Sequence, residues 1–311
     1  KFPLRLVGLT VSASVRTTDG STVSDVLAIS SLDNPADLPS IEELKKKVKD
    51  FADNLMELKE TPMIEEYYTG PVLFEGGAAS RLFTDNLLSP GRLLALRTMA
   101  PARGMLDEQL GRRIIDSRLT VKNYTTLAEY NGTPLFGCYE IDGDGVVPAA
   151  ELTLVENGVF KRMLNGRVPT LKAPESTGSA RFMISPDNPM AIVSPGTIHV
   201  QASKGVGPEK LKKALLKAAK EADLEYAYIV RRIGGEASAV YKVNVKDGKE
   251  IRVRVNNLSA PELTKLMDLK GISSDERVMN YFPNGVPASL IYPSAIIVGD
   301  VEINRTTPKI E

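Results

Sequence analysis

Residues 70–83 read Gly-Pro-Val-Leu-Phe-Glu-Gly-Gly-Ala-Ala-Ser-Arg-Leu-Phe and run on into Thr84-Asp85-Asn86-Leu87-Leu88-Ser89 before Pro90-Gly91. Val72, Leu73 and Phe74 form a short apolar run, which predicts a buried strand. The small and apolar residues from 78 to 88 predict a helix, and the Pro-Gly pair after it is a break.

Upstream, residues 4–16 alternate and are rich in β-branched side chains, Thr18-Asp19-Gly20 reads as a turn, and residues 22–30 return as a second strand. Ser40 and Glu43 form a capping-box pattern ahead of a helix to about Leu58, with Ile41, Leu44, Val48, Phe51, Leu55 and Leu58 on one face. The lysines between 45 and 49 then fall on a solvated face. Residues 59–68, with Pro62, form a polar connector and the expected domain boundary.

Downstream the pattern turns to β. Strands are expected at 119–122, 151–155 and 159–164, the last two joined by Asn157-Gly158, a pair that tolerates the positive φ of a type I′ turn. Further strands are expected at 191–193, 196–201, 226–231, 240–245, 250–255, 289–292 and 294–303, with helices at 208–223 and 260–269. The fold class is α+β: a C-terminal domain with a mostly antiparallel sheet or open barrel over 67–311, preceded by a small strand-pair-plus-helix region over 1–66.

The 311 residues are 42% hydrophobic and 25% charged, an ordinary globular composition. Thirty-nine basic residues balance 39 acidic ones, so no global field draws the chain to nucleic acid. No apolar run approaches the length of a membrane span. A single Cys excludes an internal disulfide framework. The chain begins at Lys1 rather than Met, so it is expected to be a fragment whose natural start, with any export signal, lies upstream.

The opening run resembles the entry to the C-terminal domain of the TldD/PmbA family, the modulators of DNA gyrase also read as metallopeptidases. Ile141-Asp-Gly-Asp-Gly-Val and Leu154-Val-Glu-Asn-Gly-Val-Phe-Lys-Arg-Met-Leu164 are similar to that family's central acidic-glycine element and hairpin. Residues 176–181, Ser-Thr-Gly-Ser-Ala-Arg, resemble its Pro-Thr-Gly-Asn-Gly-Arg element, and Gly234-Gly235 follows in the matching order. The resemblance covers most of the chain, with residues 1 to about 66 corresponding to the family's middle region.

In the metal-binding branch a helical His-Glu-x-x-x-His segment follows the entry. Here Thr84, Asp85 and Ser89 stand at its three characteristic positions, and residues 280–289 lack the late Cys of those members. A catalytic zinc needs about three protein ligands from His, Cys and carboxylate, whereas this chain has one His, His199, and one Cys, Cys138. The resemblance therefore implies the branch without zinc ligands: no cofactor, and a subunit that completes a peptide channel. The partner is a zinc-bearing TldD-like subunit or a second copy in a homodimer, and the substrate a peptide. Ser176, Thr177, Gly178 and Arg181 are the candidate channel residues. The cytoplasm is the implied compartment, with the periplasm or secretion as the alternative. A stand-alone peptide binder that accepts an added strand, and a divergent peptidase, stay open.

Other patterns carry less. Asp142 and Asp144 begin like a calcium loop, but the twelfth residue is Thr153, so a turn is expected. Gly205-Val-Gly-Pro208 reads as a helix entry lacking the P-loop lysine. No Gly-x-Ser-x-Gly elbow supports Ser176 or Ser179 as a nucleophile with His199 as base. His199 is expected to be a packed, hydrogen-bonded residue in a strand, and Cys138 a small buried one.

Overall fold

The computed structural model describes residues 6–32, 34–96, 106–170, 172–183, 190–233, 237–258 and 260–304. Gly234-Gly235 lies outside them. A hairpin of β1 (Leu6–Arg16) and β2 (Thr22–Leu32) leads to helix α1 (Ile41–Glu60), then β3 (Met63–Ile64), β4 (Tyr68–Glu75) and helix α2 (Gly77–Leu87). Next come β5 (Leu119–Tyr124), the small pair β6 (Glu129–Tyr130) and β7 (Thr133–Pro134), β8 (Glu151–Glu156), β9 (Val159–Phe160), β10 (Ala180–Phe182), β11 (Ala191–Val193) and β12 (Thr197–Ala202). Helix α3 (Pro208–Glu221) precedes β13 (Tyr226–Arg232), β14 (Ala239–Asn244) and β15 (Glu250–Val255). The chain closes on β16 (Leu269–Ile272), β17 (Glu276–Tyr281), β18 (Ala288–Pro293) and β19 (Ala295–Ile303).

Two sheets carry the fold. One has six strands in the order β17-β18-β12-β5-β8-β9, the other seven in the order β16-β19-β4-β13-β14-β15-β3. Only β12 with β18, β4 with β13 and β3 with β15 pair in parallel among the described residues, so the α+β, mostly antiparallel reading holds. The described strands form open sheets and no closed barrel.

The period-two alternation of β4 divides its side chains between two cores. Val72 and Phe74 enter the main core with Tyr228, Val230, Ile296 and Val298, facing Leu119, Val121, Ile198, Val200 and Leu290 of the six-stranded sheet and Leu82, Phe83 and Leu87 of α2. Leu73 points the other way, under Leu211, Leu215 and Ala219 of α3. Helix α1 is closed by the expected box: Glu43 N–H donates to Ser40 Oγ, and Ser40 N–H donates to Glu43 Oε2 at 2.9 Å. Phe51, Leu55 and Leu58 pack on Val11, Val15, Val23 and Leu27 of the hairpin.

The polar connector is tied into the large sheet, for Met63 and Ile64 pair with Arg254 and Val255. Buried Arg254 adds hydrogen bonds to Thr61 O and Ser21 Oγ and an ion pair with Asp19 in the hairpin turn. No helix among the described residues is long and apolar enough to cross a membrane.

Several local expectations differ from the structure. The helix expected at 260–269 is a 3-10 turn, Leu263–Met267, followed by β16. Buried Asp116 accounts for the change, because its Oδ2 accepts the Leu269 N–H at 2.9 Å and its own N–H donates to Leu266 O, which draws the chain out of helical geometry. The second strand of the Asn157-Gly158 hairpin ends at Phe160 instead of 164, since Lys161 and Arg162 both donate to Leu154 O and Leu164 N–H turns to Leu93 O. The turn itself is as expected, with φ of 48° at Asn157 and 78° at Gly158. Cys138 is exposed rather than buried. Its Sγ caps Leu127 O at 2.8 Å in an irregular segment after β7.

Candidate functional site

Helix α2 begins directly after β4 and lies between the two sheets, so Leu82, Phe83 and Leu87 anchor one side of it while Thr84 and Asp85 face outward. The three positions that the resemblance aligns with the metal segment fall at its C-terminal end, Thr84 and Asp85 in the last turn and Ser89 just beyond the cap, and each bonds to the helix. Asp85 Oδ2 accepts from Arg81 Nε at 3.1 Å and from its NH2 group at 3.0 Å. Thr84 Oγ1 donates to Asp85 Oδ1 at 3.2 Å, and Ser89 Oγ donates to Asp85 O at 2.7 Å. One carboxylate already paired with arginine and two neutral hydroxyls do not fit a zinc ion, which takes thiolate, imidazole and carboxylate donors.

The late stretch that the resemblance aligns with a Cys does reach this end of α2. Pro283 and Asn284 line a cleft of about 210 Å³ with Leu88, Pro90, Leu94 and Val193. Asn284 takes φ of 52° there. Where the late Cys of the metal-binding members would stand, the fold presents a mostly apolar hollow.

The candidate channel residues form a bonded element beside that cleft. Thr177 Oγ1 donates to Asn165 O at 3.0 Å and accepts the Asn165 N–H at 2.7 Å. Ser176 Oγ accepts the Gly178 N–H at 3.1 Å, and Gly178 O, at a residue with φ of 68°, accepts from Tyr139 Oη at 2.9 Å. Arg181 donates to Pro195 O and Pro287 O, each at 3.2 Å, and lies 4.2 Å over the Tyr139 ring. Burial lowers the guanidinium from its ordinary value. Arg181 thus clamps three backbone segments together, and its strand partner Ile192 lines the cleft. Asp142 serves as a turn residue: Oδ1 accepts the Asp144 and Val146 N–H groups and Oδ2 the Ala180 N–H.

A second polar group escaped the sequence reading. The outer face of the six-stranded sheet carries His199 on β12, opposite Lys122 of β5 and Ile291 of β18. Because β17 pairs with β18, Glu276 comes to His199 from 77 residues away, with Nε2 and Oε1 2.9 Å apart. Tyr130 donates to the other Glu276 oxygen and packs its ring 5.3 Å from the imidazole. Gln201 Nε2 lies 3.4 Å from Nδ1, so Nε2 carries the proton donated to the carboxylate. His199 is 6% exposed and hydrogen-bonded, as expected of a packed strand residue. Only strand order brings the triad together, and no local motif announces it.

Burial by itself would push the Glu276 carboxyl up, but the hydrogen bonds from His199 and Tyr130 outweigh it and hold the group below its ordinary 4.5. A carboxyl with a lowered folded value stabilises the fold above its unfolded value, and that contribution is lost as pH falls through the folded value. Glu276→Gln should therefore flatten the decline of thermal stability below pH 4.5 relative to wild type. Identical acid limbs in the two proteins would remove Glu276 from that role.

With this geometry in view, the comparisons with known proteins place the chain. The model of the PmbA/TldA metallopeptidase C-terminal domain matches residues 67–304. Among solved structures, the chain is similar to a proposed modulator of a DNA gyrase from Thermotoga maritima, at 16% identity and a TM-score of 0.58, over 95% of this chain and 62% of that one. It is similar to TldE from Thermococcus kodakarensis at 16% identity and 0.58, over 96% and 63%. A proposed modulator of DNA gyrase from Bacteroides thetaiotaomicron gives 15% and 0.53, over 94% and 60%. These likenesses are of fold, and the chain spans about six-tenths of the length of each. No curated protein matches it. The family match over residues 67–304, on a sheet-helix-sheet core entered through the Gly-Pro-Val strand, makes this chain a member of the PmbA/TldA metallopeptidase C-terminal domain family.

Proposed function

We propose that this chain is a non-catalytic TldD/PmbA-type subunit that completes the peptide channel of a zinc-bearing partner. The observation that carries the reading is the filling of the metal-segment positions: Arg81 neutralises Asp85, and the Thr84 and Ser89 hydroxyls both donate to Asp85. The apolar hollow beside them, walled by Leu88, Leu94, Val193 and Pro283, suits an apolar side chain of a passing peptide rather than a metal-bound water. Residues 67–311 act as the family's C-terminal domain and 1–66 as part of its middle region. The partner is a family member with His-Glu-x-x-x-His and the late Cys, or a second copy of this chain, and the compartment is the cytoplasm.

Metal analysis and mixing test this. The purified chain should carry well under one equivalent of zinc and cleave no peptide. Mixed with a zinc-bearing family member, it should form a complex by light scattering and raise that member's peptide hydrolysis. One tightly held zinc per chain, or no association and no gain on mixing, would overturn the proposal.

A second reading has its own support. The six-stranded sheet ends on β17, an edge strand of the kind to which an extended peptide can add. In that case an extended peptide binds the chain alone, without any zinc-bearing partner.

A further inference from the structure

Helix α2 has a second polar side that plays no part in the reading above. Asn86 is 6% exposed, and its Nδ2 donates to Leu82 O at 2.9 Å and Pro261 O at 2.8 Å. Both bonds use the amide nitrogen, which leaves Oδ1 as an acceptor at the wall of a cleft of about 500 Å³. That volume is in the range of small-ligand sites. The cleft runs between α2, the turn Leu106–Gln109 and the turn Leu263–Met267.

Three ionised side chains line it: Arg92, which is half-buried, and Arg113 and Glu262, which are exposed at its rim. Charges of both signs face one space, yet none of the three enters an ion pair among the described residues. Elsewhere in the chain arginines beside carboxylates close into pairs, as Arg231 does with Glu75 and Glu250. Buried Leu106 and Ile114 add apolar lining to the same cleft.

We propose that this cleft binds a small zwitterion with an apolar side chain, a free α-amino acid or a short peptide. Its carboxylate lies on Arg92 and Arg113, whose planar donors suit two-point recognition. The ammonium faces Glu262, the side chain rests on Leu106 and Ile114, and Asn86 Oδ1 accepts an N–H. The lining of the cleft includes Asn86 but not Thr84, Asp85 or Ser89, so the site stands whether or not the chain completes a peptidase.

Titration of the chain with leucine, Leu-Leu, Leu-Leu amide and N-acetyl-Leu-Leu, followed by calorimetry and amide NMR, tests it. Binding by leucine alone identifies an amino-acid site, and tighter binding by Leu-Leu a peptide site. Removing the carboxylate as the amide, or substituting R92Q with R113Q, should each weaken binding at least about tenfold, the loss expected of one charge-assisted contact. N-acetylation and E262Q should act on the same end of the ligand and be non-additive. The substituted side chains lie at or near the surface, so unchanged melting serves as the folding control. No binding by either free zwitterion, or equal binding of Leu-Leu and its amide, or binding unaffected by R92Q with R113Q, would overturn the proposal.

Discussion

Phe74→Ala should lower the free energy of unfolding by about 3–5 kcal/mol, the range for removing a buried aromatic ring. Phe74 is fully buried in β4, the strand that joins the two halves of the large sheet, with Val230 beside it on β13 and Ile296 on β19. Its ring belongs to the cluster that also holds Leu82 and Phe83 of α2. Truncation leaves a void that both sheets and the helix would have to collapse to fill, and the close-packed β neighbours resist it. Phe182→Ala is the control: that side chain is 53% exposed and should cost little. Urea unfolding followed by far-UV circular dichroism measures both. Equal midpoints for the two variants would mean that β4 is not the keystone its position implies.

The strand-helix unit around Phe74 was legible because its signals are local. Three apolar residues in a row, a helical stretch of small side chains and a Pro-Gly stop need no partner from elsewhere to be read. The same holds for the capping box at Ser40 and the Asn157-Gly158 turn, where the chemistry that fixes the backbone sits within four residues. Strand β17 was missed for a physical reason. Its Glu-Arg-Val-Met-Asn-Tyr run shows no clean alternation, because it sits at a sheet edge where most of its side chains are half-buried. Missing β17 hid Glu276, and with it the partner of His199.

The candidate site divides along the same line. Thr84, Asp85 and Ser89 could be located from sequence because they lie within six residues at the end of one helix, whereas their bonding to Arg81 and to a backbone carbonyl is a matter of three-dimensional contact. Arg81 is four residues before Asp85, the spacing at which opposite charges meet on a helix, so that ion pair was available to a sequence reading. The cleft formed by Leu88 and Pro283 was not, since about two hundred residues separate its walls. In the proposed function this has a specific meaning: the chain keeps the helix against both sheets, while the side chains at the three positions bond to that helix instead of to a metal.

Gly196→Ala should be the most damaging small substitution near His199. A Cβ at Gly196 would fall 2.4 Å from Tyr124 O and 2.9 Å from Gly137 O, and one at Gly137 would fall 2.3 Å from the Gly196 carbonyl carbon. The contacts under 3 Å at both positions are all with backbone, which cannot swing aside, and at Gly196 the Tyr139 ring adds a further contact at 3.3 Å. Gly196 also donates its N–H to Asn123 Oδ1 at 2.9 Å and accepts from Ser289 N–H at 3.2 Å, which fixes it between β5 and β18. An added methyl must therefore part β12 from β5 at the Thr197 and Tyr124 pair, two residues from His199 and Lys122. The expected cost is about 3 kcal/mol, the upper end for overpacking because the contacts are rigid. The His199 ring signals in NMR should shift with it as the bond to Glu276 loosens. Gly207→Ala is the comparison, for a Cβ there meets nothing within 4 Å and φ is −67°. If both variants melt together and leave the imidazole signals in place, the crossing of backbone at Gly137 and Gly196 does not hold the histidine in register.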